Sequence, residues 1–154
     1  MPHTHLDVSL TIDAPAQLVF DRMNDLSRFD DWNPFPEMDP STTTQHSGAA
    51  SGVGAVFSYE GKQLGQGRME IVSVDEPHQI DVALTFWRNG KLTGHATSSF
   101  TVAEAPGGGV DVHWTMDQER SLGLYLMGKL MFDRAMSGSF SRGLEKLKAL
   151  VETN

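Results

Sequence analysis

Few of the polar side chains in this 154-residue chain fall near its apolar faces, where they could move a proton for a bound molecule. It has no cysteine, which removes disulfides, thiolate metal sites and a cysteine nucleophile at once. The candidates left are Tyr59, Glu60, Arg68, Glu70, Ser98 and the run Gln118-Glu119-Arg120. Beside an apolar site, such groups could exchange a proton with a bound carbonyl compound or hold a developing enolate. Alternation along the flanking residues sorts them. Tyr59 shares parity with Phe57 and points inward, where its hydroxyl meets a ligand or a backbone carbonyl. Ser98 shares parity with Phe100 and, being small, leaves room. Arg68 and Glu70 alternate against Met69 and Ile71 and face solvent.

The histidines offer less. His3 and His5 share the polar side of one strand, where two solvated histidines are the expected reading, and no metal site is expected. His95 and His113 also fall on outward parity. With a turn at Pro106 to Gly109, His95 lies opposite Asp117, which predicts a surface pair worth less than about 1 kcal/mol. No Gly-x-Ser-x-Gly elbow is present, and no glycine cluster sits between a parallel strand and a helix as a phosphate loop would. The catalytic set is therefore unknown.

The elements that must position these residues are legible from periodicity. Leu122 to Glu152 contains no proline and reads as one long helix. Met136, Phe140, Leu144, Leu147 and Val151 form its apolar stripe. Its length would be roughly 45 Å. Its first half, with Leu124, Tyr125, Met127, Leu130, Met131 and Phe132, is apolar on nearly all sides. That half is expected to be buried on more than one side or to face an apolar cavity. Four glycines interrupt the helix, each costing about 1 kcal/mol against alanine. They predict close backbone approach, or a kink at Ser137-Gly138-Ser139.

Thr4 to Ile12 alternates as a half-buried strand. Asp13-Ala14-Pro15 starts a helix that Asp13 is expected to cap, and Ala16, Val19, Phe20 and Met23 form its apolar face. Leu26, Phe29 and Trp32 suggest a second short helix, ended by Asn33-Pro34-Phe35-Pro36. Ser41 to Thr44 suits an edge strand. From Val53 a meander of five strands follows, with Asn89-Gly90 as a two-residue hairpin turn and Pro106 to Gly109 as the last turn. The expected fold is α+β: a curved seven-stranded antiparallel sheet gripping the C-terminal helix, with two short helices after the first strand. A single domain over residues 1–154 is expected.

Net charge is −8 with no visible basic patch, which argues against nucleic acid or an anionic membrane as partner. There is no signal-peptide pattern and no apolar run of membrane-span length, so a cytoplasmic location is expected.

Several motifs carry a family resemblance. They are Ile12-Asp13-Ala14-Pro15, Trp32-Asn33-Pro34-Phe35, Gly52-Val53-Gly54-Ala55-Val56, Gly67-Arg68-Met69-Glu70-Ile71, the Gly107-Gly108-Gly109 turn leading to Trp114, and Phe140 to Lys148. With this order of elements the chain resembles the START-like, or SRPBCC, helix-grip superfamily, and within it the polyketide cyclase/dehydrase family. The resemblance implies a deep apolar cavity between sheet and helix. The residues expected to line it are Trp32, Phe35, Phe57, Tyr59 and Met69, with Phe86, Ser98, Trp114, Met116 and Met131. For Trp32, Trp114 and Met116, ordinary core packing is the competing role.

Three readings follow. One is a binding protein for a lipid-like, aromatic or polyketide molecule. Another is a cyclase or dehydratase using Tyr59 and a buried acid. The last is an interaction module with an exposed apolar patch. No cofactor is expected, and the chain is expected to be a monomer or homodimer.

Overall fold

A computed structural model describes the backbone of residues 3–119 and 122–152, and the side chains of residues 5–118 and 137–152. Strand β1 (His3–Ile12) is followed by helix α1 (Ala16–Asn24), a 3-10 segment (Leu26–Asp31) and the one-turn helix α2 (Phe35–Met38). Strands β2 (Thr43–Gly48), β3 (Ala55–Gly61), β4 (Gly65–Asp75), β5 (Gln79–Arg88), β6 (Lys91–Glu104) and β7 (Val110–Glu119) come next. Helix α3 (Leu122–Glu152) completes the chain. The seven strands form one antiparallel sheet in the order β1-β7-β6-β5-β4-β3-β2. Short turns join sequential strands, and β1 closes against β7 at the far side.

The alternation that defines each strand also defines the buried face. Ile80, Val82 and Leu84 of β5, Phe100 and Val102 of β6, and Val110, Val112, Trp114 and Met116 of β7 are buried, while their neighbours in sequence are not. Helix α3 runs unbroken through Ser137-Gly138-Ser139 and packs on β1, β7, α1 and α2. Its stripe is buried at Phe140, Leu144, Leu147 and Val151. Met136 lies outside the described side chains. At Gly143, α3 comes close to Trp114 of the sheet. A Cβ there would stand 3.0 Å from Trp114 Cζ3 and 3.3 Å from both Pro34 Cδ and the Trp32 carbonyl oxygen.

Two bulges depart from simple alternation. Val72 is inserted opposite β5, so inward parity in β4 passes from Ile71 to Val74, and Val72 is exposed. Thr93 is inserted opposite the Phe86–Trp87 junction. Asn89 and Gly90 both take positive φ, 53° and 78°, as the expected hairpin turn requires.

The helices near the N-terminus hold two corrections. Asp13 does not cap α1, whose N-cap is Pro15 without a side-chain bond. Its backbone N–H instead donates to Glu152 of α3 at 2.7 Å, tying the two helices. Asn33-Pro34-Phe35-Pro36 also does more than end a helix. The Asn33 side chain accepts from Phe35 N–H at 2.9 Å and opens α2, with proline in its first turn. Glu37 of α2 then pairs with Arg142 at 2.9 Å and with Lys146, clamping α2 onto α3.

Asp39 is the polar anchor of this end. It is buried, and its carboxylate accepts from Ser41 Oγ at 2.6 Å, Gln63 N–H at 2.7 Å and Leu64 N–H at 3.1 Å. It thereby fastens the β3–β4 turn to the segment after α2. A Cβ at Gly61 would stand 2.3 Å from Asp39 Oδ2, so glycine is required for this approach. The Ser41 hydroxyl, then the backbone N–H groups, hold the carboxyl at about 2 against burial, below its ordinary 3.8. Its stabilisation is complete above the unfolded pKa and is lost as pH falls through the folded one. Asp39→Ala should lower Tm at neutral pH by on the order of 5–10 °C. In thermal melts between about pH 4 and pH 2, the variant should lose less stability than the native chain. An unchanged pH slope would remove this anchor.

Candidate functional site

The inner face of the sheet is aromatic. Phe29 of the 3-10 segment meets Trp32, Phe57 and Trp114 edge-on at 4.7, 4.9 and 6.2 Å between ring centroids. Trp32 contacts Phe100 at 5.5 Å and Trp114 at 5.6 Å. Trp114 stacks on Phe140 of α3 at 3.9 Å, with planes 6° apart. The Trp114 indole N–H donates to Ser98 Oγ at 3.1 Å, and Ser98 Oγ donates to the Thr115 carbonyl at 2.6 Å. Ser98 is thus inward, as alternation predicts, and its hydroxyl is spent on positioning Trp114.

Tyr59 lies at one end of this face. Its ring leans on Phe35 at 5.1 Å and lies across Gly67, its cross-strand partner. A Cβ at Gly67 would stand 2.2 Å from the phenol ring, so the missing side chain makes the bed in which Tyr59 rests. Burial pushes the phenol up to about 12. It stays protonated at neutral pH and can donate a hydrogen bond but cannot serve as a base. Among the described residues its hydroxyl has no hydrogen-bond partner. The same is true of the Trp32 indole N–H, which is buried. These are two polar atoms on an otherwise carbon-lined face that the described part of the fold leaves unspent.

The other expected residues fall as follows. Trp32, Phe57, Met69, Trp114 and Met116 are fully buried and share one cluster; Phe35 and Ser98 are buried, and Phe86 is partly so. Met131, Glu119 and Arg120 lie outside the described side chains. Arg68 pairs with Glu70 on the outer face at 2.7 Å, as parity predicts. His113 is outward too, 2.8 Å from Asp7. His95 does not face Asp117. The β6–β7 register sets Thr97 opposite Asp117, and the partner of Asp117 is His5, at 2.6 Å. Glu104 faces Val110, a tighter closure than a His95–Asp117 pairing would need, and this leaves His95 two residues past the position opposite Asp117. Sequence reading missed Asp39; Asp39-Pro40-Ser41 is a turn signal that could have drawn notice.

Among the described residues no group of three His, Asp or Glu is placed to hold a metal ion. A surface cleft of about 490 Å3 at the start of α1 is bordered by Asp13, Glu104 and the Gly108-Gly109 turn. No helix among the described residues is long and apolar enough to cross a membrane.

Comparison with known proteins agrees with this architecture. No curated protein sequence matches the chain. Among solved structures, it resembles a norcoclaurine synthase point mutant from Thalictrum flavum in complex with a transition-state analogue. That match has a TM-score of 0.74 at 11% identity and covers 99% of this chain and 96% of that one. A protein from Mycobacterium smegmatis matches with a TM-score of 0.65 at 17% identity, covering 99% of each chain. Ara h 8.0201 matches with a TM-score of 0.64 at 14% identity, over 99% of this chain and all of that one. At such identities these likenesses establish the helix-grip fold and nothing finer. Residues 3–152 match the family described as polyketide cyclase / dehydrase and lipid transport, and the chain belongs to that family.

Proposed function

We infer that the protein binds a hydrophobic small molecule, lipid-like, aromatic or polyketide, between the inner face of the sheet and the first half of α3. The observation that carries this reading is the Tyr59 hydroxyl. It is a protonated donor, without a protein partner among the described residues, at the end of an aromatic face. A ligand with a carbonyl or hydroxyl oxygen would satisfy it while burying its carbon skeleton against the rings. The sequence of Leu122 to Phe132 is apolar on nearly all sides, as a segment that faces an apolar ligand would be. Native mass spectrometry of the protein as purified, before and after organic extraction, tests this. A defined extra mass removed by extraction supports it; an apo mass with no gain from lipids, flavonoids or polyketides overturns it.

A cyclase or dehydratase is the second reading, favoured by the family's description. Its acid would be Tyr59. Its base would have to come from outside the described side chains, because Asp39, the buried carboxylate among them, is committed to the β3–β4 turn. Tyr59→Phe separates the two roles. For a binder, it should weaken an oxygen-bearing ligand about tenfold, roughly 1.4 kcal/mol, read as a smaller ligand-induced rise in Tm. For an enzyme, it should lower turnover far more than binding. An unchanged response to ligand would remove Tyr59 from the site.

A further inference from the structure

The outer face of the sheet cross-links itself across most of its width. His5 reaches Asp117 and His113 reaches Asp7. Thr11 donates to Asp111, while Ser73, Gln79 and Ser99 all donate to Asp81. One region is different. Across β2 to β5 a cleft of about 390 Å3 opens on this face, within the range of small-molecule sites. Gln45, Ser58, Glu60 and Gln66 line it, and none of the four makes a side-chain hydrogen bond among the described residues. Trp87 lines the same cleft, opposite Gln66 in register. It is half-buried and packs with neither the hydrophobic core nor another ring of the aromatic cluster.

We propose that this cleft is a second binding site, for a neutral saccharide. Its chemistry excludes the alternatives in turn. An anion would meet Glu60, and the cation of the cleft, Arg68, is already paired with Glu70 at 2.7 Å. An apolar ligand would cover unspent amides, a hydroxyl and a carboxylate without satisfying them. A sugar ring does both tasks. Its C–H face lies on the indole, and its hydroxyls, each donor and acceptor, pair with Gln45, Ser58, Glu60 and Gln66. Tyr59 and Gly67 also border this cleft, although the Gln45, Ser58, Glu60, Gln66 and Trp87 side chains take the outward parity of their strands and the Tyr59 ring the inward one.

The chain has three tryptophans, so its indole N–H groups give three signals in a nitrogen-edited NMR spectrum. Trp87→Ala identifies one by its loss, and circular dichroism checks that the fold is kept. Titration with malto-, cello- and chito-oligosaccharides to millimolar concentration should shift the Trp87 signal and leave the Trp32 and Trp114 signals in place. Gln66→Ala, which keeps the reporter, should weaken binding several-fold. The proposal is overturned if no saccharide moves Trp87 or if glycerol at equal hydroxyl concentration moves it as far. It is also overturned if Gln66→Ala binds as tightly as the native chain, or if Trp87 responds to an apolar aromatic compound and not to sugars.

Discussion

Trp114→Ala is expected to cost about 3–5 kcal/mol and to be the most damaging single truncation in the sheet. The residue is 1% exposed and sits where every layer meets. It stacks on Phe140 of α3, touches Trp32 and Phe29 before α2, and contacts Phe100 on the neighbouring strand. Alanine would leave a cavity bounded by α3, β6, the 3-10 segment and Trp32 just after it, none of which can collapse without moving the rest. It would also strand Ser98 with one bond in place of two. Trp114→Phe keeps the stack and loses the indole donor, so it should cost clearly less. Urea denaturation at pH 7 measures both. Equal losses would mean that the hydrogen bond to Ser98, and not the ring, holds the site together.

Gly143→Leu should cost a comparable amount by the opposite route. Helix propensity alone predicts a gain of nearly 1 kcal/mol on replacing glycine in an α-helix. Geometry predicts a loss. The first added carbon already stands 3.0 Å from Trp114 Cζ3, with Pro34 and the Trp32 carbonyl behind it. The larger side chain must push α3 off the sheet or drive Trp114 from its rotamer, typically about 1–3 kcal/mol and here at the upper end. Gly138→Ala is the control. Its nearest neighbour among the described residues would be Arg142 Nη1 at 3.8 Å, so propensity should win and stability should rise slightly. If thermal melts rank Gly143→Leu above the native chain, the close approach of α3 at this point is wrong.

The contrast between these two glycines shows the boundary of sequence reading. Both interrupt the same helical pattern, and the pattern alone gives each the same role. Only the packed structure shows that Gly143 faces Trp114, whereas Gly138 meets only the Arg142 guanidinium among the described residues. The strands were more legible. Period-two alternation in β1, β5 and β7 placed the large apolar residues on the buried side, with Trp87 near the end of β5 the exception, because a half-buried strand turns alternate side chains to the core. The bulges at Val72 and Thr93 left no mark in that alternation, since one extra residue changes parity without changing composition.

The candidate site divides the same way. That Tyr59 and Ser98 point inward, and that Arg68, Glu70 and His113 point out, followed from parity and was determined by the sequence itself. What their polar atoms do was decided by tertiary contacts. Ser98 became the bracket of Trp114, and Asp39 the anchor of a turn 24 residues away. Tyr59 was laid over Gly67 with its hydroxyl unspent. Alternation is a local property of the backbone, carried by each strand alone. Hydrogen-bond partners and strand register depend on turn lengths and on side chains distant in sequence. His5 therefore holds Asp117 where local reading had placed His95.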